Sequence, residues 1–387
     1  MSTRFDVVVI GGGIQGVGVA QAAAVRGYST LLLEQEDLAA GTSSRSSKLI
    51  HGGLRYLESR QFGLVRQSLR ERETLLKIAA PLVERRAFYI PVYAHSRRSP
   101  ARVAAGLLLY RALAHGAHGG FQRLASRDWD KLDGLKTAGL KAVFRYYDAQ
   151  TDDAALTRAV ARSAQEFGAE IRTGARFIGA ERVGPRYEVR FVSAGAVASC
   201  ATQVLVNATG PWVGQVLGRI LPGPPRLPHD LVQGAHIITP GTLHQGLYYT
   251  EAPHDGRAVF VMPWHGRILT GTTETAYVGN PAFSAATRDE IAYLQEVLTS
   301  YFPDLSPTVE DSFAGLRVLP RTTQGFSARA REAVLLADGP VPRLISIFGG
   351  KLTAYRHTAD QVMERFRGVL PKRTARGDTR RVILSVP

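Results

Sequence analysis

FDVVVIGGGIQGVGVAQAAAVRGYSTLLLE, residues 5–34, sets the frame for the whole chain. The apolar run from Val7 to Ile10 predicts a buried parallel strand, and it stops at Gly11, Gly13 and Gly16 in G-x-G-x-x-G spacing. A helix follows. Its residues Ile14, Val17, Val19, Ala22 and Ala23 suit packing against a sheet, and Gly27 closes it before a second apolar strand, Thr30 to Leu33, that ends on Glu34. Each residue type answers a physical need: Gly11 permits a tight turn, Gly13 lets the backbone approach a pyrophosphate, and Gly16 lets the helix pack closely on the strand. The helix N-terminus offers the anion free N–H groups and a partial positive charge. Glu34 would accept both hydroxyls of an adenosine ribose. Glycine-rich turns occur at many strand-to-helix joints, so the ordered set of strand, fingerprint, helix, strand and terminal acid carries the inference.

Working outward, 387 residues suggest about two domains with a large buried interior. Lys plus Arg number 48 against 33 Asp plus Glu, a formal charge of +15, which points to an anionic partner: a substrate phosphate, an acidic lipid or a nucleic acid. The single cysteine, Cys200, excludes a disulfide framework and a thiolate metal cluster, so no metal is expected. The first strand begins at Phe5, which leaves no room for a secretory leader, and the expected location is cytoplasmic. Apolar runs fall short of the ~20 residues that span a bilayer. Any membrane contact is therefore expected to be peripheral, on the inner face of the cell membrane.

After Glu34 comes GTSSRSSKLIHGGLRYLE, residues 41–58, where Lys48, His51, Arg55 and Tyr56 crowd beside Gly52 and Gly53 as though the backbone passes close to a ligand. Residues 64–78 read as a charged surface helix ended by Pro81. In residues 96–116 the apolar cluster Val103 to Tyr110 is flanked by Arg97, Arg98, Arg102 and Arg111, a pattern shared by helices in an anionic membrane interface and by amphipathic helices buried on their own domain. Asp152 or Asp153 caps a helix running to Phe167, and strands follow at 170–172, 187–192 and 203–206. The last of these ends in NATGPW, bringing Gly210 to the carboxyl edge of the sheet. From about 225 to 335 short alternating strands prevail (234–239, 246–250, 258–263, 267–271 and 313–319), interrupted by a helix over 288–301. The last strand, 344–348, passes through Gly349 and Gly350 into Lys351 and a helix, a second anion-facing helix terminus.

Taken together, VVIGGGIQGVGVA, TSSRSSKLIHGGLRYLE, VNATGPWV, GAHIITP, VMPW, GTTETAYVGNP, AGLRVLP and FGGKLTAYR, in this order, resemble the FAD-dependent glycerol-3-phosphate dehydrogenases of the D-amino-acid-oxidase-like flavoproteins. The resemblance implies an α/β fold: a discontinuous Rossmann-like FAD-binding domain of residues 1–80, 141–225 and 336–387, with an inserted, mainly antiparallel β (α+β) substrate domain of residues 81–140 and 226–335. Two departures stand out. The chain stops about where the family's C-terminal helical domain would begin, leaving oligomeric state and partner contacts open, and Glu274 replaces the usual Asp.

By resemblance, Gly11, Gly13, Gly16 and Glu34 hold the adenine dinucleotide half of FAD. Thr42, Ser43, Ser47, Lys48 and His51 line the flavin, and Gly210, Gly350, Lys351, Leu352 and Thr353 complete its pocket. Arg55, Tyr56, Thr272, Arg317, Arg331 and Lys351 face the substrate phosphate, and the catalytic set is His51, Arg55, Arg317 and Lys351. Either His51 or His236 takes the hydroxyl proton, His51 being preferred. The implied reaction oxidises sn-glycerol 3-phosphate to dihydroxyacetone phosphate and passes electrons to a membrane quinone. Two rivals are an oxidoreductase acting on a 2-hydroxy acid, amino acid or other phosphorylated polyol, and a basic flavoprotein that binds RNA or anionic surfaces. Against RNA, no run of aromatic residues interleaved with basic ones is present.

Overall fold

A computed structural model describes residues 3–385 apart from 115–119, 324, 327, 328, 330 and 331. The apolar strand Thr3–Ile10 lies at the centre of the first sheet because both of its faces are covered. It pairs in parallel with Thr30–Leu33 on one side and with Ala196–Asn207 on the other. Glu170–Arg172 extends the parallel set beyond Thr30–Leu33, and Leu344–Phe348 runs parallel to the end of Ala196–Asn207. The antiparallel strands Ala175–Val183 and Arg186–Ser193 continue the sheet outward. Helices Ile14–Val25, Asp153–Glu166 and Tyr355–Arg365 cover one face, their alanines and valines forming the core with Val7, Val9, Leu32 and Val206. Cys200 is buried here, and burial pushes its thiol up to about 11, consistent with inert packing.

The second sheet is almost wholly antiparallel, with His229–Thr239 paired along its length to Asp311–Pro320 and then to Arg267–Gly271. Ala258–Trp264, Leu247–Glu251, Val83–Tyr93 and Leu140–Thr151 follow in that order. Among the described residues, only the short contact between Leu247–Tyr248 and Phe88–Tyr89 is parallel within it. Helix Arg288–Tyr301, closed at its start by a Thr287–Glu290 capping box, packs on one face.

Three expectations need correction. Leu140–Thr151 pairs with Val83–Tyr93 from Val83↔Thr151 to Tyr93↔Leu140, so residues 141–151 belong with the second sheet, while Val334–Ala337 pairs into the first. The charged helix is not on the surface. Phe62–Ile78 buries Leu64, Val65 and Leu69 in one core and Leu75 and Ile78 in the other. Two of its charges are satisfied internally: Glu71 accepts two bonds from Arg356, at 2.6 and 2.9 Å, and Arg72 donates to Asp148 at 2.5 Å, while Arg66, Arg70 and Lys77 stay exposed. Finally, the terminus at Lys351 opens as a 3-10 turn, Leu352–Ala354, before helix Tyr355–Arg365 begins.

Candidate active site

At the carboxyl edge of the first sheet, Gly11 adopts φ +107, a conformation that L side chains avoid, and a Cβ there would press on the Ala208 carbonyl at 2.6 Å. That contact joins the fingerprint to the NATG strand end. A methyl group on Gly16 would overlap the Gly11 carbonyl oxygen, so close helix-to-strand packing excludes one. Gly13 caps helix Ile14–Val25 without a side chain, and the first turn holds no acid. Ser43 Oγ accepts the Ile14 N–H at 2.9 Å. Glu34 stands at the end of the neighbouring strand, its carboxylate accepting from the amides of Gly12 at 2.6 Å and Glu36 at 2.9 Å. A helix start with no side-chain cap of its own and no acid in its first turn, beside a strand-end carboxylate, fits the diphosphate and ribose of FAD.

The 41–58 segment folds back across the junction of the two sheets. Thr42 Oγ1 donates to the Leu316 carbonyl at 2.8 Å, and Ser47 Oγ lies 2.9 Å from His236 Nε2. Lys48 is buried, bonded to the Ser44 carbonyl and to Asp153 Oδ1 at 2.7 Å, with its ammonium over the rings of Phe313 and Trp264. Asp153 is therefore more than the first residue of a helix capped by Asp152. The His51 amide donates to Thr353 Oγ1 at 3.2 Å, which ties this segment to the turn Leu352–Ala354. Gly350 has φ +98 and leaves room for Gln15, whose amide reaches the Lys351 carbonyl at 3.5 Å. Gly210 also has positive φ, +53, at the end of the NATG turn.

Arg55, Tyr56 and Lys351 meet as a stack. The Tyr56 ring has the Arg55 guanidinium 5.1 Å from its centroid and the Lys351 ammonium 4.0 Å from it. Lys351 Nζ also reaches Ser68 Oγ at 3.2 Å. Arg55 Nη2 is buried with no hydrogen-bond partner among the described residues. Burial works against the charge of Arg55, yet Tyr56 and Glu274 outweigh it and hold its pKa above the usual value. Across the site, Arg317 Nη2 donates to Thr272 Oγ1 at 3.3 Å, and its Nη1 lies 3.7 Å from Glu274 Oε1. Gly234 makes that approach possible, because a Cβ there would sit 2.5 Å from Thr272 Oγ1 and 2.8 Å from Arg317 Nη2.

His236 is buried between Gly271 and the stacked ring of Phe313, whose centroid is 4.9 Å away. Burial first, and then the cations Arg317 and Lys48, push its pKa well below the usual imidazole value. His51 is half-buried and meets Phe260 edge-on, at 6.3 Å between centroids. Arg331 lies outside the described residues. Sequence reading missed Arg257, whose Nη2 stands 3.3 Å from Glu274 Oε2 and whose Nη1 reaches the Glu274 carbonyl at 3.4 Å. No local signal marks it: it precedes a strand and acquires its partner only through the sheet.

A family model described as FAD dependent oxidoreductase (DAO) matches residues 6–356. The chain belongs to this family. As an FAD-dependent oxidoreductase it has relatives of two kinds. A glycerol-3-phosphate dehydrogenase of Pseudomonas aeruginosa is 40% identical over 93% of this chain and 71% of its own length. A D-erythritol 1-phosphate dehydrogenase of Brucella abortus is 38% identical over 95% of this chain and 74% of its own. The crystal structure of a glycerol-3-phosphate dehydrogenase from Bacillus halodurans complexed with FAD matches this oxidoreductase with a TM-score of 0.77 at 26% identity, covering 99% of this chain and 68% of that one.

Proposed function

We propose that this FAD-dependent oxidoreductase converts sn-glycerol 3-phosphate to dihydroxyacetone phosphate, and that the two sheets divide the work, the first holding FAD and the second the substrate. The observation that carries the reading is the meeting of Arg55, Arg317 and Lys351, from three distant parts of the chain, around Tyr56, Thr272 and Glu274. Guanidinium groups can grip a phosphate through parallel N–H bonds, and the buried Arg55 Nη2 has a donor to give. The anionic partner implied by the net charge of +15 is, on this reading, the substrate itself.

When bound, FAD supplies the two-electron acceptor for the hydride on C2. The protein supplies position and charge. Arg55 and Arg317 orient the phosphate, and the Tyr56 ring holds the Arg55 and Lys351 cations close together beside it. His51, fixed through its backbone by Thr353, takes the C2 hydroxyl proton. His236, held neutral and bonded to Ser47, positions that flavin-lining hydroxyl instead.

We assign the electrons to a membrane quinone, reached from a peripheral position. Among the described residues no helix is long and apolar enough to cross a membrane. Helix Pro100–Leu113 buries Val103, Leu107 and Tyr110 against the protein but leaves Leu108 and Leu109 exposed at 57% and 38%. Arg98 pairs with Glu58 and Glu251, so less of the basic flank is free for lipid than the residues alone suggest.

The Brucella relative supports a second reading, a longer phosphorylated polyol. Anaerobic mixing of the FAD-loaded protein with glycerol 3-phosphate, erythritol 1-phosphate, lactate and amino acids tests both: the substrate is the compound that bleaches the flavin. Bleaching by lactate or an amino acid alone overturns the phosphate reading.

A further inference from the structure

We propose that Glu274 is a positioning residue that tunes the phosphate cradle: its buried carboxylate spreads and aims Arg257 and Arg317 and weakens the cradle's hold on free anions. This rests on the phosphate reading given above. The Glu274 side chain is only 3% exposed, and each carboxylate oxygen serves a different guanidinium, Oε2 with Arg257 at 3.3 Å and Oε1 with Arg317 at 3.7 Å. It also supports the charge of Arg55. The strand Arg267–Gly271 and the turn after it deliver two acceptors together, because Thr272 takes the other Arg317 nitrogen at 3.3 Å. Arg257 is further pinned by the Glu274 backbone carbonyl at 3.4 Å.

Without a central anion, guanidinium groups gathered this closely repel one another and splay before substrate arrives. With it they stand apart at fixed angles, and one positive charge of the cradle is offset. The offset has a second effect. A unit charge about 6–12 Å from a bound ion changes its affinity roughly ten- to a hundredfold at a near-surface dielectric, so Glu274 makes the cradle a poorer sink for inorganic phosphate and leaves affinity to depend on the whole substrate. Glu274 thus gives up raw attraction for orientation.

The test uses the FAD-loaded full chain and inorganic phosphate as probe, read both as inhibition of glycerol 3-phosphate oxidation and as a shift in melting temperature. Glu274→Gln should bind phosphate roughly tenfold tighter while its kcat falls about tenfold, a split that a merely structural carboxylate would not produce. Arg257→Gln should do the reverse to phosphate, weakening it several-fold, and this arm stands if the first variant does not fold. Phosphate affinity unchanged or lowered in Glu274→Gln, or unchanged in Arg257→Gln, overturns the proposal. If phosphate neither inhibits nor stabilises the wild type or Glu274→Gln, the phosphate reading itself falls, and this proposal with it.

Discussion

The Tyr110 hydroxyl accepts the Gly52 amide N–H at 2.8 Å, joining the last turn of helix Pro100–Leu113 to the turn that presents His51 and Arg55. The same hydroxyl donates to Asp148 Oδ2 at 2.7 Å, and Arg72 secures the other oxygen of that carboxylate. Burial, reinforced by Asp148, raises the Tyr110 pKa well above the ordinary phenol value, so the hydroxyl stays protonated and can serve both partners.

Tyr110→Phe removes that hydroxyl and leaves a buried amide and a buried carboxylate each short of a partner. The expected loss is about 1–3 kcal/mol of stability, with lower activity per bound flavin as the His51–Arg55 turn loosens. Denaturant titration beside kinetics on flavin-normalised protein checks it; unchanged values for both would mean that the contact contributes nothing.

Gly16→Ala places a methyl group on the Gly11 carbonyl, and Gly13→Val brings a branched side chain to the helix start, where its Cβ would already lie 3.1 Å from Ser43 Oγ. Both should yield colourless or unfolded protein. Visible absorbance per folded chain measures it, and stoichiometric FAD in either variant would put the cofactor somewhere else.

Arg317→Lys keeps the charge but loses the paired N–H geometry shared with Thr272 and Glu274. Binding of glycerol 3-phosphate should weaken roughly 10- to 150-fold, the equivalent of about 1.5–3 kcal/mol, while the flavin spectrum stays the same. Turnover of unphosphorylated glycerol should barely change. A parallel fall for both substrates with a lowered melting temperature would reassign Arg317 to structure.

His236 is neutral in the fold because its pKa is depressed. Above the unfolded value of about 6.5 both states are neutral and it contributes no pH dependence. As pH falls below that value the unfolded chain binds the proton first, so stability declines by up to about 1.4 kcal/mol per pH unit until the folded pKa is reached. Stability measured at intervals from neutral to mildly acidic pH should show this slope, and His236→Asn should flatten it. An identical slope in the variant would assign the acid sensitivity to other groups.

Replacing Leu108 and Leu109 with Ser should reduce sedimentation with acidic vesicles without changing the melting temperature, since both side chains already face solvent. Vesicle binding equal to that of the wild type would exclude this helix face as the contact.

How much of this was legible depended on sequence distance. Helix Arg288–Tyr301 and strands Arg267–Gly271 and Leu344–Phe348 match their sequence-based bounds, because a capping box, a glycine or an apolar run marks each end locally. Val83–Tyr93 was not legible as a strand: three charged residues open it, Pro91 interrupts it, and the burial of Phe88 to Tyr93 erases the alternation that would reveal one. Its identity comes from pairing with Leu140–Thr151. The site divides the same way. The glycine turns and the SSKLIHGGLRY segment are contiguous and could be read, whereas Arg257 depends on Glu274 and Lys48 on Asp153, pairs formed only once the chain has folded.

Helix Phe62–Ile78 has a mechanical consequence. One end lies in the core of the first sheet and the other in the core of the second, and buried ion pairs clamp Glu71 to Arg356 and Arg72 to Asp148. Breaking one such buried pair by removing a partner costs about 3–5 kcal/mol. A hinge that swung the two sheets apart would have to pull this helix out of one of the two interiors and break the ion pair there. The two sheets are therefore coupled mechanically through this one helix.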